Sequence, residues 1–208
     1  MKILSIFKLY FFIAVVALLE SCQKERLPDN SDLSESLPTA SKENKLLPFK
    51  GTFTTNYSFV PDIAGGWTAP NPAPAWYPGG GDGNLTHVGT CQTNFNQYAT
   101  FGPAGLQSAG APVNMFFATS LAPSGYVVPN TVTTIFYTSN GQSVWSMAVG
   151  MSATVPVSAT RVEFTANHEI IGGTGRFHDA KGTYILKGFF NPQDPEDAGF
   201  EVNGWIEY

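Results

Sequence analysis

One stretch decides what this chain can become. Arg161 to Ile171 sets Val162, Phe164, Ala166, His168 and Ile170 against Glu163, Thr165, Asn167 and Glu169. That two-residue alternation suits a half-buried β-strand and no helix. The strand runs straight into Gly172-Gly173-Thr174-Gly175-Arg176-Phe177. Glycines there permit positive φ and close approach of backbones, so the chain is expected to turn a corner. Phe177 and Ala180 are expected to fold back onto the core, Arg176 to anchor the corner by donating to carbonyls, and Gly182 to open a new strand. Gly172 to Gly175 is not a phosphate loop, because no Lys-Ser/Thr follows it and a strand rather than a helix comes next.

The same alternation recurs along the chain from Phe49 onward. No segment holds a helical period for long, while Thr, Val, Phe and Tyr dominate. Eight strands are predicted: Gly51–Val60, Asn84–Ala99, Val113–Ser120, Val132–Thr138, Ser143–Met151, Arg161–Ile171, Gly182–Phe190 and Gly199–Tyr208. In the first, Phe53, Thr55, Tyr57 and Phe59 share a face. In the second, Leu85, His87, Gly89, Cys91, Thr93 and Phe95 do. In the fifth, Trp145, Met147, Val149 and Met151 do. Ser139-Asn140-Gly141-Gln142 carries the Asn-Gly signal of a tight hairpin. Pro61 to Gly83, rich in Pro and Gly, is expected to stay out of any sheet interior. The acidic run Pro192–Ala198, with Asp194, Glu196 and Asp197, reads as a solvated loop. The fold class is therefore all-β, an eight-stranded antiparallel closed barrel that hides its strand edges. A two-sheet β-sandwich is the alternative.

Ahead of these strands lies a different kind of sequence. Lys2 and Lys8 flank the start of an unbroken apolar run, Leu9–Leu19, about half the ~20 residues that a membrane span needs. Leu19-Glu20-Ser21-Cys22 follows and resembles the lipobox read by bacterial lipoprotein signal peptidase, with Glu20 in place of the usual small residue. Residues 1–21 then form a lipoprotein signal peptide, and Cys22 becomes the acylated first residue of the mature chain. Each buried acyl methylene contributes about 0.8 kcal/mol, so two or three chains moor a protein stably. Residues 22–48 carry no aromatic residue until Phe49 and read as a disordered tether. Residues 49–208 form the β domain. Gln23 after the cysteine, followed by Lys24-Glu25-Arg26, points to the outer membrane of a Gram-negative bacterium, facing either the periplasm or the exterior.

Charge narrows the partners. The net charge is −5, and between Gly51 and Thr160 there is neither Lys nor Arg and no acid beyond Asp62 and Asp82. Nucleic acid, which needs a basic footprint, is excluded as a partner. The membrane is the expected partner through the lipid anchor. Cys91 is the only cysteine besides Cys22; it is expected to be a small buried hydrophobe rather than a reactive thiol. No CxxC, His cluster or EF-hand pattern offers a metal site, and no cofactor is implied.

Two segments carry a family resemblance. Ile171-Gly172-Gly173-Thr174-Gly175-Arg176-Phe177, with Ala180 and Gly182, resembles the GGTGRF-x-x-A-x-G segment of the allene-oxide-cyclase-like barrels, which include plant dirigent proteins and bacterial secreted members. Gly83-Asn84-Leu85-Thr86-His87-Val88-Gly89 is similar to the G-x-x-THLG strand of the bacterial members. The resemblance implies an eight-stranded barrel, and no catalytic position carries over from it.

The candidate ligand-binding residues are His87, Trp67, Trp76, Tyr77 and Trp145. His87 and Cys91 on one strand would stand about 13 Å apart, too far for nucleophile activation. His168 and Glu169 face opposite sides of their strand and cannot cooperate. Trp67, Trp76 and Tyr77 sit in a Pro-stiffened insertion that can plug or cover one end of the barrel, or present a platform to sugar rings. No acid, base, nucleophile or metal set converges, so no catalytic residue is assigned. The functional expectation is a membrane-anchored, non-enzymatic lipoprotein that binds a small apolar or carbohydrate ligand. The alternatives are a cyclase- or isomerase-like enzyme working inside the barrel and a surface glycan-binding or adhesion module using the Trp-rich loop.

Overall fold

The structure, a computed structural model, describes residues 45–208 apart from 104, 122–124 and 126. The signal peptide, Cys22 and most of the tether lie outside the described residues. In chain order the strands are β1 (Leu47–Tyr57), β2 (Val60–Pro61), β3 (Ala75–Trp76), β4 (Gly79–Leu85), β5 (Gly89–Phe95), β6 (Gln97–Gly102) and β7 (Gly105–Gly110). A helix, α1 (Asn114–Leu121), intervenes before β8 (Thr134–Tyr137), β9 (Ser143–Val149), β10 (Met151–Ser158) and β11 (Arg161–Thr174). A single 3₁₀ turn, Gly175–Phe177, leads to β12 (Lys181–Asn191) and β13 (Asp194–Glu207).

Antiparallel pairing runs β11–β12–β13–β1–β4–β5–β8–β9 and returns to β11. The sheet is a closed eight-stranded barrel, which overturns the sandwich alternative. Several strands are the two halves of one bent strand. Gly150, at φ 74°, joins β9 to β10, and Asn96 joins β5 to β6. The place between β5 and β9, fourth in chain order among the ring strands, is split. Near one end β8 pairs β5 and β9; near the other β7 pairs β6 and β10. The two halves meet at Asn96, whose N–H donates to the Thr133 carbonyl (3.0 Å) and whose carbonyl accepts from the Ala111 N–H (3.0 Å).

The described residues between β7 and β8 leave the ring, and those of the segment's own small core lie against its outside. Val113, Leu121, Val128 and Val132 form a second small core there with the outward side chains of Ile135, Trp145 and Ile171. This corrects the strand expected at Val113–Ser120, which is α1. The ring's fourth place is already filled, so this backbone has no free edge to pair with and satisfies its polar groups locally. The Val113 carbonyl accepts from the N–H groups of Phe116 and Phe117.

Other boundaries shift for equally physical reasons. Gly79–Gly83, expected to stay out of a sheet interior, forms most of β4, which is paired on both sides, by β1 and β5. A side chain at Gly83 would collide with Phe53 and the Thr52 carbonyl; the glycine lets the Phe53 ring lie flat across the strand. The second expected strand breaks into β4, a turn at Thr86–Val88, and β5, so His87 lies in the turn at φ 66°. β6 carries the second expected strand on past Ala99 and forms a hairpin with β7, which, like β10, is unforeseen. Pro156 is tolerated because β7 pairs only residues 151–153 of β10, leaving Pro156 with β11 alone as neighbour. β13 starts at Asp194, inside the expected acidic loop.

The corner at Gly172–Phe177 closes one end of the barrel. Phe177 and Ala180 are fully buried and join Phe49, Leu85, Phe136, Val144, Ile170 and Ile206 in the main core. A Cβ at Gly173 would strike the Ser143 carbonyl and Phe177, which is why the chain can fold that ring inward. Tyr184 crosses the middle of this core, its hydroxyl 2.6 Å from Ser146 Oγ. The end with the corner is packed solid. The opposite end, ringed by Tyr57, Tyr77 and the β6–β7, β10–β11 and β12–β13 turns, is not.

Candidate ligand-binding site

A cavity of about 80 Å³ occupies this second half of the barrel. One water needs ~10–15 Å³ on the same measure, so the space is several waters large. It exists because facing strands contribute side chains of unequal size. Ala99, Ala109, Gly110 and Ala148 stand on one wall, Phe164, Phe190 and Phe200 on the other. Small residues leave the volume that the aromatic ones do not reach.

Aromatic rings form the mouth. Tyr57 contacts Tyr77 at 5.9 Å between centroids and Phe190 at 5.7 Å, and Phe59 links Tyr77 (5.6 Å) to Trp67 (5.9 Å). Both tyrosine hydroxyls are committed, Tyr57 to the Asn191 carbonyl (2.9 Å) and Tyr77 to the Pro72 carbonyl (2.7 Å). Burial raises both phenols, with Asp194 adding at Tyr57 and the Tyr57 charge adding at Tyr77, which is pushed up to about 12. They remain neutral at ordinary pH.

Most polar groups deeper in the cavity are also used up by the protein. Ser108 Oγ donates to Gln97 Oε1 at 2.8 Å, Thr154 Oγ1 to the Leu106 carbonyl at 3.0 Å, and Asn96 Nδ2 to the Pro112 carbonyl at 3.0 Å. Thr133 Oγ1 accepts from the Ala148 N–H at 2.9 Å. His168 differs. It is 6% exposed and lines the cavity, its Nδ1 is buried without a hydrogen-bond partner among the described residues, and burial pushes its pKa down to about 4. Asn96 Oδ1 is also buried without a partner among the described residues, and Thr55, Thr134 and Ser152 add further hydroxyls to the lining.

The candidate residues fall in different places. Tyr77 lines the mouth. Trp67 stands beside it in the insertion, its indole N–H on the Asn71 carbonyl at 2.6 Å. Trp76, on β3, packs against Tyr98 at 5.1 Å. Trp145 points out of the barrel into the second core, its indole nitrogen without a hydrogen-bond partner among the described residues. His87 is at the corner end, remote in the fold from the cavity: its carbonyl accepts from Arg176 and its ring lies 5.9 Å from Tyr208. Arg176 also covers the Phe177 ring at 4.9 Å. Cys91 is 4% exposed, and burial, with Asp82 adding, raises its thiol to about 12.

Sequence reasoning passed over His168, Asn96, Tyr57 and Phe190. For His168 a signal existed, since it is the one polar residue on the inward face of Val162, Phe164, Ala166 and Ile170. Asn96 gave none, because nothing local shows that the chain bends there between β5 and β6. Comparison of the chain with protein-family models and with curated proteins returns no match.

Proposed function

We propose that this protein is a lipid-anchored, non-enzymatic lipoprotein of the bacterial outer membrane whose barrel holds one small, mostly apolar molecule. The observation that carries the reading is the cavity, placed behind an aromatic mouth in a barrel whose other end is filled by the core around Phe177. Its described lining includes no carboxylate, amine, guanidinium or thiol. An acid–base mechanism needs a titratable group within hydrogen-bond reach of a reacting proton, usually with a second group to hold it. His168 stands there without such an orienting partner, which favours binding over turnover. The lipobox-like Leu19–Cys22 segment supports the anchor, and the Ile171–Phe177 segment with Ala180 and Gly182 supports kinship with the allene-oxide-cyclase-like barrels.

The test is native mass spectrometry of the full chain purified from its own cells, with labelled palmitate supplied during growth. Palmitate is expected on the wild-type protein and absent from Cys22→Ala. A bound small molecule is expected to leave on denaturation and to be missing when Ala148→Phe fills the cavity. Equal labelling of Cys22→Ala would remove the anchor. A retained mass unaffected by Ala148→Phe would remove the cavity as its seat.

A second reading has its own observation. The contact row Trp67–Phe59–Tyr77 borders the mouth, with Phe59 41% exposed, and rings so displayed suit the apolar faces of sugars. Loss of retention on immobilised glycan when Trp67 and Phe59 become Ala, with the small-molecule mass unchanged, would favour it.

A further inference from the structure

We infer that the cavity selects an uncharged molecule bearing a single hydroxyl or amide group, and that the His168 side chain is the group that receives it. This rests on the cavity being a binding site, as proposed above. It adds the chemical class of the occupant and the residue that decides it.

Three observations converge. First, the described lining is electrically neutral throughout. An ion entering it would shed its hydration with no counter-charge to meet, a cost that apolar contact does not return. Second, the hydroxyls of Tyr57, Tyr77, Ser108 and Thr154 and the amide of Asn96 are spent on protein acceptors, leaving the imidazole of His168 and the hydroxyls of Thr55, Thr134 and Ser152 to meet an occupant. Tyr184, next to His168, is likewise paired with Ser146. Third, His168 is held rigidly yet unsatisfied. Its ring stacks on Tyr184 with centroids 4.8 Å apart and planes 13° apart, and its Nδ1 has no partner among the described residues.

Buried polar groups in native proteins nearly always have a partner, and one that lines a cavity without a protein partner finds it in what fills the cavity. A neutral imidazole offers one donor and one acceptor. A hydroxyl or amide can answer either tautomer, whereas a hydrocarbon answers neither and a carboxylate brings the charge the lining rejects. The low pKa of His168 agrees, since the ring stays uncharged at neutral pH.

Three benzene derivatives separate the possibilities: benzyl alcohol, its isostere ethylbenzene, and the carboxylate phenylacetate. Each is titrated at pH 7 into the intact protein in detergent, against empty micelles as reference, while the methyl resonances of Ala148 and Leu186 are followed. Benzyl alcohol is expected to bind about tenfold more tightly than ethylbenzene, and phenylacetate not to saturate. In His168→Leu that preference falls to within about twofold while ethylbenzene still binds. In His168→Gln, which keeps a donor and an acceptor, the preference is retained at least in part. Equal binding of the alcohol and the hydrocarbon by wild type overturns the inference, as does saturable phenylacetate binding or a preference that survives His168→Leu. Any of these leaves the cavity a binding site. If none of the three probes binds, the binding site itself falls and the inference with it. Should His168→Leu not fold, the wild-type ratio and His168→Gln decide.

Discussion

His168 lies almost parallel to Tyr184, ring planes 13° apart and centroids 4.8 Å apart, across the boundary between the packed and hollow halves of the barrel. The tyrosine belongs to the solid core and holds Ser146; the histidine belongs to the cavity and holds nothing in the described chain. β11 and β12 set this pair opposite each other by register, His168 against Tyr184.

The pair makes stability depend on acidity. The imidazole's pKa drops from 6.5 to about 4 on folding because burial disfavours its charge. Above pH 6.5 it is neutral in both states and has no effect. Between pH 6.5 and about 4 the unfolded chain takes up a proton that the folded chain refuses, so stability falls with falling pH and levels off below 4. The loss is about 3 kcal/mol in total. Urea denaturation from pH 7 to 4 is expected to show this slope in wild type and a reduced one in His168→Leu. Identical slopes would mean the histidine is not buried uncharged.

Gly83 is a test of the barrel's closeness at β1 and β4. Gly83→Val drives a branched side chain into Phe53 and the Thr52 carbonyl, and is expected to lower stability by at least about 2 kcal/mol. Asp82→Ala, one residue away on the exposed side, is expected to change it by less than about 0.5 kcal/mol. Chemical denaturation of the two variants compares them directly; equal effects would contradict the close approach.

Phe177 plugs the corner end with no exposed surface. Phe177→Ala is expected to cost about 3–5 kcal/mol. Phe101→Ala, at a ring 58% exposed near the other end, should cost under about 1 kcal/mol. Thermal melts that rank the two in reverse order would show that the corner is peripheral rather than part of the core.

Cys91 faces the packed interior at 4% exposure, with its thiol raised to about 12. Thiolate is the reactive form, so a thiol-specific reagent at pH 8 is expected to label Cys91 only after denaturant unfolds the barrel. Labelling of the folded protein at the rate of a free thiol would place Cys91 at an accessible position.

The inward face of Arg161–Ile171, the corner that follows it and the last two long strands were legible in the chain, because alternation and glycine placement are local properties and burial only ratifies them. From Val162 to Ile170 every second residue is turned inward, and the 3₁₀ turn falls inside the glycine segment. Less was legible where a residue's role depends on what stands opposite. Gly79–Gly83 looks like loop until Phe53 is laid against it. Val113–Ser120 looks like strand until β7 and β8 are seen to share one place in the ring. Trp145 lies on an alternating face, but nothing local tells inside from outside.

The candidate site followed the same division. The sequence by itself determined an all-β chain with an apolar-faced β11 and a sharp glycine corner, because φ freedom and two-residue periodicity are carried by neighbouring residues. Only the tertiary structure decided that His168 borders a cavity while His87 sits at the opposite end. Cavities arise from a mismatch in size between side chains on strands far apart in the chain, here the small residues of β6, β7 and β9 against the phenylalanines of β11 to β13, and no local pattern records that mismatch.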